Sequence, residues 1–377
     1  MNNKSNISND TPVKRNTYCI IMAGGFGSRF WPICKANNPK QFIDILGNGQ
    51  SMLQATFQRF ENICPRENII IVTGELYADR VRQQIKGLAP YQVLSEPTRR
   101  NTAPCIAYAA SVIYHINPKA NIIVTPSDHA IFGQENFEQD INQALAITEK
   151  NDYIVTIGVR PTTPNTKYGY IQFSEDPVSP QTNTLHKIIT FTEKPPIEMA
   201  RQFIATGEFF WNAGIFIWRL STLRKAYRTH LPNIAKNFFA LTSDTPAIDL
   251  DRIYSLSEAI SVDFGIMEHA DNVYVLEASF GWSDVESWDS LYTTCRRDSN
   301  GNSLISGNVF VYDVHNTVVH LPSNRTVILQ GLDNYIVAGD ENTLLVCRRD
   351  QEERLVKFAS DVELAELTKV KKGGKSK

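Results

Sequence analysis

The segment AGGFGSRFWPICKANNPKQF (23–42) holds the densest set of residues able to do chemistry. Gly24, Gly25 and Gly27 have no Cβ, so their backbone N–H groups can approach a phosphate closely. The spacing is not a dinucleotide fingerprint, because Phe30 stands where GxGxxG needs its last glycine. Nor is it a P-loop, since no Gly-Lys-Ser/Thr follows. Taken alone, the glycines equally describe a structural tight turn. Arg29 directly after them, and Lys40 after Pro39, shift the reading toward a polyphosphate.

Acidic residues recur in two further segments. Asp128 in TPSDHAI (125–131) comes just past an apolar run that reads as a buried strand. Open α/β sheets bind ligands at that edge, so the carboxylate suits a Mg²⁺ ion; a turn or cap aspartate is the plainer alternative. His129 beside it reads as a packed or hydrogen-bonded side chain. Asp284 in FGWSDVESWDSL (280–291) reads either as a helix N-cap or as a second carboxylate for the same metal.

Other segments carry donors and acceptors. In LSEPTRRNTAP (94–104), Glu96, Asn101 and Thr102 could read a base edge or a ribose, although capping of the following helix by Asn101 or Thr102 is the simpler reading. KYGYIQF (167–173) and FTEKPP (191–196) offer Gly169, and Glu193 and Lys194 for sugar hydroxyls and a phosphate. In FFWNAGIFIW (209–218), Asn212 stands among aromatic residues, a setting that suits a sugar or a plain core.

The elements that must position these residues are legible from periodicity. Apolar, β-branched runs at 17–23, 68–73, 121–125 and 153–159 predict strands of a parallel sheet covered on both faces. Helical spacing is read over 51–61, 78–86, 103–116 and 135–150. Such alternation predicts an α/β fold with a doubly wound sheet. The middle third adds extended GYIQF, KIITFTEKP and WNAGIFIWRL, with a helix over 197–207. The polar RRDSNGNS (296–303) is the expected domain boundary. Beyond it, a nine-residue repeat puts Val318, Val327, Ile336 and Leu345 in register, with Asn324, Asp333 and Asn342 at the turns. That pattern predicts a β-helix-like stack or an antiparallel meander.

Composition bounds the rest. The chain has 377 residues, 42% hydrophobic and 21% charged, which excludes disorder of its bulk and allows a sizeable core. A net charge of −2 argues against non-specific gripping of nucleic acid. No apolar run approaches a membrane span, and the polar first 16 residues resemble no secretory signal, so no membrane association and a cytoplasmic location are expected. Six scattered cysteines without a CxxC pair read as reduced thiols.

The ordered set GGFGSRFWP…PKQF, EPTRRNTAP, PSDH, KYGYI, FTEKP, WNAGIF, VDFGIMEHA (262–270) and WSDVESW closely resembles the bacterial-type mannose-1-phosphate guanylyltransferases, also called GDP-mannose pyrophosphorylases, over about residues 17–357. The resemblance implies a Rossmann-like, doubly wound mixed-sheet nucleotidyltransferase domain over 17–297. It also implies a small β-helix-like domain over 303–358, framed by a flexible tail (1–16) and a C-terminal helix or basic tail (359–377). It implies GMP transfer from GTP to mannose 1-phosphate, and no room for the isomerase domain of longer relatives. By the resemblance, Gly24, Gly25 and Gly27 cradle the triphosphate, Arg29 and Lys40 offset phosphoryl charge, and Glu96, Asn101 and Thr102 meet the guanosine. Gly169, Glu193 and Asn212 hold the sugar, Lys194 its phosphate, and Asp128 and Asp284 bind Mg²⁺. Two departures stand out: Ile33-Cys34-Lys35 replaces the usual Leu-Ser-Arg, and Glu286 replaces a common glycine. The rival expectations are a different sugar 1-phosphate, or a catalytically silent regulator that binds GDP-mannose; retention of the full cation and carboxylate set favours an enzyme. An exposed β-stack leaves a homodimer open.

Overall fold

The protein is described by a computed structural model that covers residues 12–25, 28–178, 184–241 and 247–373. Its strands are β1 Thr17–Ala23, β2 Ile69–Gly74, β3 Val93–Glu96, β4 Asn121–Pro126, β5 Ala130–Phe132, β6 Ile154–Val159, β7 Gly169–Pro177, β8 Leu185–Glu193, β9 Phe209–Arg219, β10 Val273–Glu277 and β11 Gly281–Ser283. The C-terminal region adds β12 Ser303–Ser306, β13 Asn308–Tyr312, β14 Val318–His320, β15 Thr326–Gln330, β16 Tyr335–Gly339 and β17 Leu344–Arg348. The helices are α1 Pro12–Arg15, α2 Met52–Glu61, α3 Ala78–Gln84, α4 Thr102–Ile116, α5 Gln134–Lys150, α6 Ile197–Thr206, α7 Leu220–His230, α8 Pro232–Phe238, α9 Ala247–Leu256, α10 Trp288–Thr294 and α11 Leu355–Gly373.

The chain divides into two compact units. The first comprises residues 1–24, 56–127 and 131–282. It is built on a nine-stranded mixed sheet in the order β3-β2-β1-β4-β9-β6-β10-β8-β7. The order β3-β2-β1-β4 follows from parallel pairing of β1 with both β2 and β4, so the chain reverses its direction of winding between β1 and β4. These strands read as unbroken apolar runs because both faces are covered: Ile20, Val72 and Val124 pack with Ile106, Ala109, Ala110 and Ile113 of α4. The sheet is mixed: β1 to β4 pair in parallel, and antiparallel pairing extends the sheet beyond them. β9 enters between β4 and β6 and runs antiparallel to both, a non-local insertion that periodicity does not encode.

The second unit comprises residues 25–55, 128–130 and 283–377. Its boundary therefore differs from the one expected at 297/303. Phe30, Ile45, Trp288 and Leu291 share one core with Val318, Ile336 and Leu355, which draws residues 25–55 and the segment from Ser283 onward into this unit. Here β12, β14 and β16 stack in parallel, and β13 pairs in parallel with β15. Val318 faces Ile336 and Val309 faces Val327, each pair eighteen positions apart. The nine-residue period thus alternates between two sheets, and an antiparallel β17 ends the run. Residues 12–15 of the expected N-terminal tail form α1, where Lys14 Nζ donates to the Asn62 carbonyl at 3.0 Å. The C-terminal helix starts at Leu355, four residues ahead of the expected 359. All six cysteines are free, and no helix among the described residues is long and apolar enough to cross a membrane.

Gly158 shows how tightly the first sheet is closed. A Cβ there would lie 2.5 Å from Val275 Cγ2 and 2.8 Å from Phe210 Cβ. Gly158→Ala should therefore lower stability by about 1–3 kcal/mol through overpacking. A urea midpoint equal to that of the parent would show that the strands part more easily than this geometry allows.

Candidate functional site

In the second unit, Lys40 is the organising side chain. It sits in a short 3₁₀ turn, Lys40–Phe42, and is only 5% exposed. An ammonium group has three protons to donate. Here they meet the Asp284 carbonyl at 2.7 Å, the Val285 carbonyl at 3.0 Å and Asp128 Oδ2 at 3.0 Å. Burial pushes the Asp128 carboxyl toward its neutral form, but Lys40 and then His129 outweigh that and hold it below its ordinary value. Val285 has φ +45°, an outlier for a β-branched residue, and it is fully buried in the unit's core. The two bonds from Lys40 to this segment help hold the strained turn on which Asp284 lies.

The neighbouring Gln41 is fully buried and donates from Nε2 to the Gly25 carbonyl at 3.0 Å. A Cβ on Gly25 would stand 3.9 Å from both Asp128 Oδ2 and Gln41 Oε1. Residues 40 and 41 thus address the glycine turn and the acidic pair together. Arg29 Nη1 pairs with Glu286 Oε2 at 2.5 Å, so the departure from the family pattern engages the very guanidinium expected to meet phosphate. Lys35, the second departure, pairs with Asp340. Gly27 lies outside the described residues.

The donors in this unit suit a hard divalent ion. Asp128 Oδ2 and the Asp284 carbonyl share one ammonium, so the two aspartates are close neighbours. Among the described residues no group of three or more His, Cys, Asp or Glu side chains could hold a metal. Two neighbouring aspartates without a full protein cage are the kind of oxygen donors that a hard divalent ion takes alongside water.

The first unit holds the remaining candidates. Gly24 follows β1, and a Cβ there would stand 3.9 Å from Glu96 Oε2. Glu96 ends β3, is 6% exposed, and its Oε1 has no hydrogen-bond partner among the described residues. Burial pushes its pKa up to about 7, against the pull of the Tyr254 hydroxyl and Arg99 toward the charged form. Asn101 takes the capping role: its Oδ1 accepts from Thr102 N at 2.8 Å while its backbone adopts φ +66°. Thr102 Oγ1 accepts from Val262 N at 2.9 Å.

A second group in this unit gathers around β7, β8 and β9. Gly169 faces Glu193 across the β7–β8 ladder, and a Cβ on it would come within 2.7 Å of Glu193 Oε2. Only glycine leaves that carboxylate its place. Lys194 pairs with Glu193 at 2.9 Å and has φ +48°. Asn212 Oδ1 accepts from Thr156 Oγ1 at 3.2 Å and from Gly214 N at 3.0 Å, and its Nδ2 donates to Asp263 Oδ1 at 2.7 Å. Its amide is thereby fixed in orientation, with one proton left for a ligand. Tyr168 packs edge-on to Trp211 and Trp282 at 5.0 and 5.1 Å between ring centroids.

Asp263 has no role assigned from sequence, although it lies within VDFGIMEHA. Two signals mark it: the buried amide partner, and a π-helical turn over Asp263–Met267, a rare element frequent at functional sites. Burial pushes its pKa up to about 6; the bond from Asn212 opposes this, and Glu193 adds to it.

Residues 18–301 match the profile of the Nucleotidyl transferase family. The chain is 32% identical to the xanthan biosynthesis protein XanB of Xanthomonas campestris pv. campestris, over 92% of this chain and 73% of that protein. It is 29% identical to a mannose-1-phosphate guanylyltransferase of Escherichia coli, over 92% of this chain and 75% of that one. A crystal structure described as mannose-1-phosphate geranyltransferase from Thermus thermophilus superposes with a TM-score of 0.83 at 28% identity. The match covers 92% of this chain and 99% of that one.

Asp263→Asn keeps an acceptor for Asn212 while removing the ionisation. The native carboxyl rises from 3.8 to about 6, so the folded state holds its proton longer than the unfolded state. Stability therefore falls as pH rises from about 4 to about 6 and stays penalised above it. The variant should exceed the parent in stability at pH 8 by roughly 3 kcal/mol at most, at 1.36 kcal/mol per pKa unit, and match it near pH 4. Urea titrations showing a pH-independent difference would contradict the assignment.

Proposed function

The chain belongs to the nucleotidyl transferase family, and from that premise we propose that it transfers GMP from GTP to α-D-mannose 1-phosphate, forming GDP-mannose and pyrophosphate. The observation that carries most weight is the cluster in which Lys40 ties Asp128 to the Asp284–Val285 turn, with the Gly25 turn tied to its neighbour Gln41. The relatives' names supply the sugar and the base.

In this reading an oxygen of the sugar phosphate attacks the α-phosphorus of GTP. A new P–O bond forms as the bond to the β-phosphate oxygen breaks, and pyrophosphate leaves with that electron pair. The nucleophile is already anionic, so the protein needs no base or covalent intermediate. Its task is to bring mutually repelling anions together. Backbone N–H groups of the glycine turn hold the triphosphate, and Arg29 offsets charge on the reacting phosphoryl group. Lys40 acts by keeping Asp128 ionised and the Asp284 turn in place. Asp128 and Asp284 would hold Mg²⁺, which when bound shields phosphate charge. The orphaned Glu96 Oε1 suits the N–H edge of guanine, and the Nδ2 of Asn101 suits the ribose. Lys194 would leave Glu193 for the sugar phosphate, releasing Glu193 toward sugar hydroxyls beside the fixed Asn212 amide. The C-terminal stack reads as a short β-helix, and its exposed Phe310, Tyr312 and Ile328 suit a homodimer. The free cysteines fit a cytoplasmic setting.

Pyrophosphate release across a panel of sugar 1-phosphates and nucleoside triphosphates tests the reading. GTP with mannose 1-phosphate should give the highest kcat/KM, and Arg29→Ala should lower it by roughly 10²- to 10³-fold. Preference for another pair, or no release with any, would replace it with a different sugar specificity or a silent binding protein. Glu286 competes with phosphate for Arg29 through a part-exposed ion pair worth about 0.2–1 kcal/mol. Glu286→Gln should accordingly lower KM for GTP by a few-fold with kcat little changed; a raised KM would mean that Glu286 assists nucleotide binding.

A further inference from the structure

Helices α7 and α8 of the first unit border a cavity of about 340 Å³ that the reaction does not use. Arg224, Arg228, Pro232, Ala235, Lys236 and Phe239 line it. Arg224 is only 7% exposed. Its guanidinium lies between two rings, with Cζ 3.9 Å from the Tyr114 centroid and 4.2 Å from that of Phe239. The stacking uses the faces of the guanidinium and leaves its N–H edge unspent. Nη1 is fully buried, and no hydrogen-bond partner reaches it among the described residues.

That arrangement is unusual for a buried cation. Arginine is rarely removed from water without a counterion, because the charge loses its hydration and gains nothing equivalent. Burial, and then the nearby charge of Arg228, both disfavour the Arg224 cation. Arg228 and Lys236 add two more positive groups at the same cavity, and among the described residues no carboxylate pairs with any of the three. A structural role as a spacer between Tyr114 and Phe239 explains the stacking. It does not explain why three cations converge on one cavity with no carboxylate among the described residues to balance them.

We propose that this cavity is a second binding site, distinct from the nucleotidyl-transfer residues, for an organic phosphate ester. Arg228 and Lys236 take the phosphate oxygens, and the buried Arg224 adds its charge from behind them. The cavity is much larger than one phosphate group. Its lining also includes the apolar Pro232, Ala235 and Phe239, which accommodate the organic part. The shared chemistry is the phosphate, so bare phosphate should also bind, but more weakly.

Isothermal titration of the full-length protein with inorganic phosphate and with phenyl phosphate, at constant ionic strength, tests this. Phenyl phosphate serves because it is neither a nucleotide nor a sugar phosphate. It should bind saturably and about fivefold more tightly than inorganic phosphate, a difference set by burying its ring. Arg228→Ala/Lys236→Ala should weaken it by at least about tenfold, as expected for lost charge-assisted contacts, while pyrophosphate release from GTP stays within about twofold of the parent. Arg29→Ala should leave the binding unchanged. Binding that survives the double substitution, is lost with Arg29→Ala, or is equal for the two probes would overturn the proposal. Because the Arg29 variant reports on the transfer residues alone, failure of this site and failure of the proposed reaction remain separable.

Discussion

One ammonium group, that of Lys40, sets the geometry of the second unit. Its three protons are spent on three acceptors from distant parts of the chain: Asp128, Asp284 and Val285. Removing it would leave a largely buried carboxylate without its counterion and two carbonyls without a donor, and breaking such a buried pair costs about 3–5 kcal/mol. The resemblance implies that Lys40 touches substrate. The geometry gives it prior work, since every proton is engaged before any ligand arrives. In the proposed reaction a lysine placed in this way acts on phosphate through the groups it positions and through its net charge.

The same economy explains where the backbone is strained. Among the described residues six non-glycine residues have positive φ, and three of them, Asn101, Lys194 and Val285, fall in the segments that carry candidate site residues. Each is held by something local. Asn101 caps α4 with its own side chain, Lys194 N donates to the Tyr168 carbonyl at 3.2 Å, and Val285 has the Lys40 bond and a packed side chain. The other three, Asp313, Asn316 and Asn334, are the residue types that tolerate this region and lie at turns of the β-stack. Among the described residues, strain with an unsuitable residue type is thus confined to Lys194 and Val285, beside Glu193 and Asp284 respectively.

What can be read from the chain follows from how local the determining interactions are. The apolar runs at 17–23 and 121–125 correspond to β1 and β4 because a strand covered on both faces needs no partner to declare itself. The helix over 103–116 becomes α4, with the cap at Asn101 that its sequence offers. By contrast, β9 is apolar and aromatic wherever it is placed, and only long-range pairing inserts it between β4 and β6. The repeat period is legible, but not that successive units alternate between two sheets or that β17 reverses. In the site, residue types announce Asp128 and Glu193. Asp263 is silent because its significance lies in a hydrogen bond to Asn212, fifty-one residues away in the chain.

The carboxylates divide by environment in a way that bears on binding anions. Asp128 is held ionised, and its charge is already balanced by Lys40. Glu96 and Asp263 are buried among groups that compensate them less, and their pKa values rise to about 7 and about 6. Near neutral pH, Glu96 can therefore carry a proton at small cost. In the proposed reaction Glu96 gains from this when a polyanion binds, because a neutral carboxyl still offers an acceptor oxygen to an N–H donor without adding a negative charge. Glu286 is the exception, a half-buried carboxylate at a position the family commonly leaves to glycine, and its neutraliser is Arg29. The added acid thus draws on a cation that the proposed reaction gives to phosphate, and in that reaction its effect falls on nucleotide binding before the chemical step.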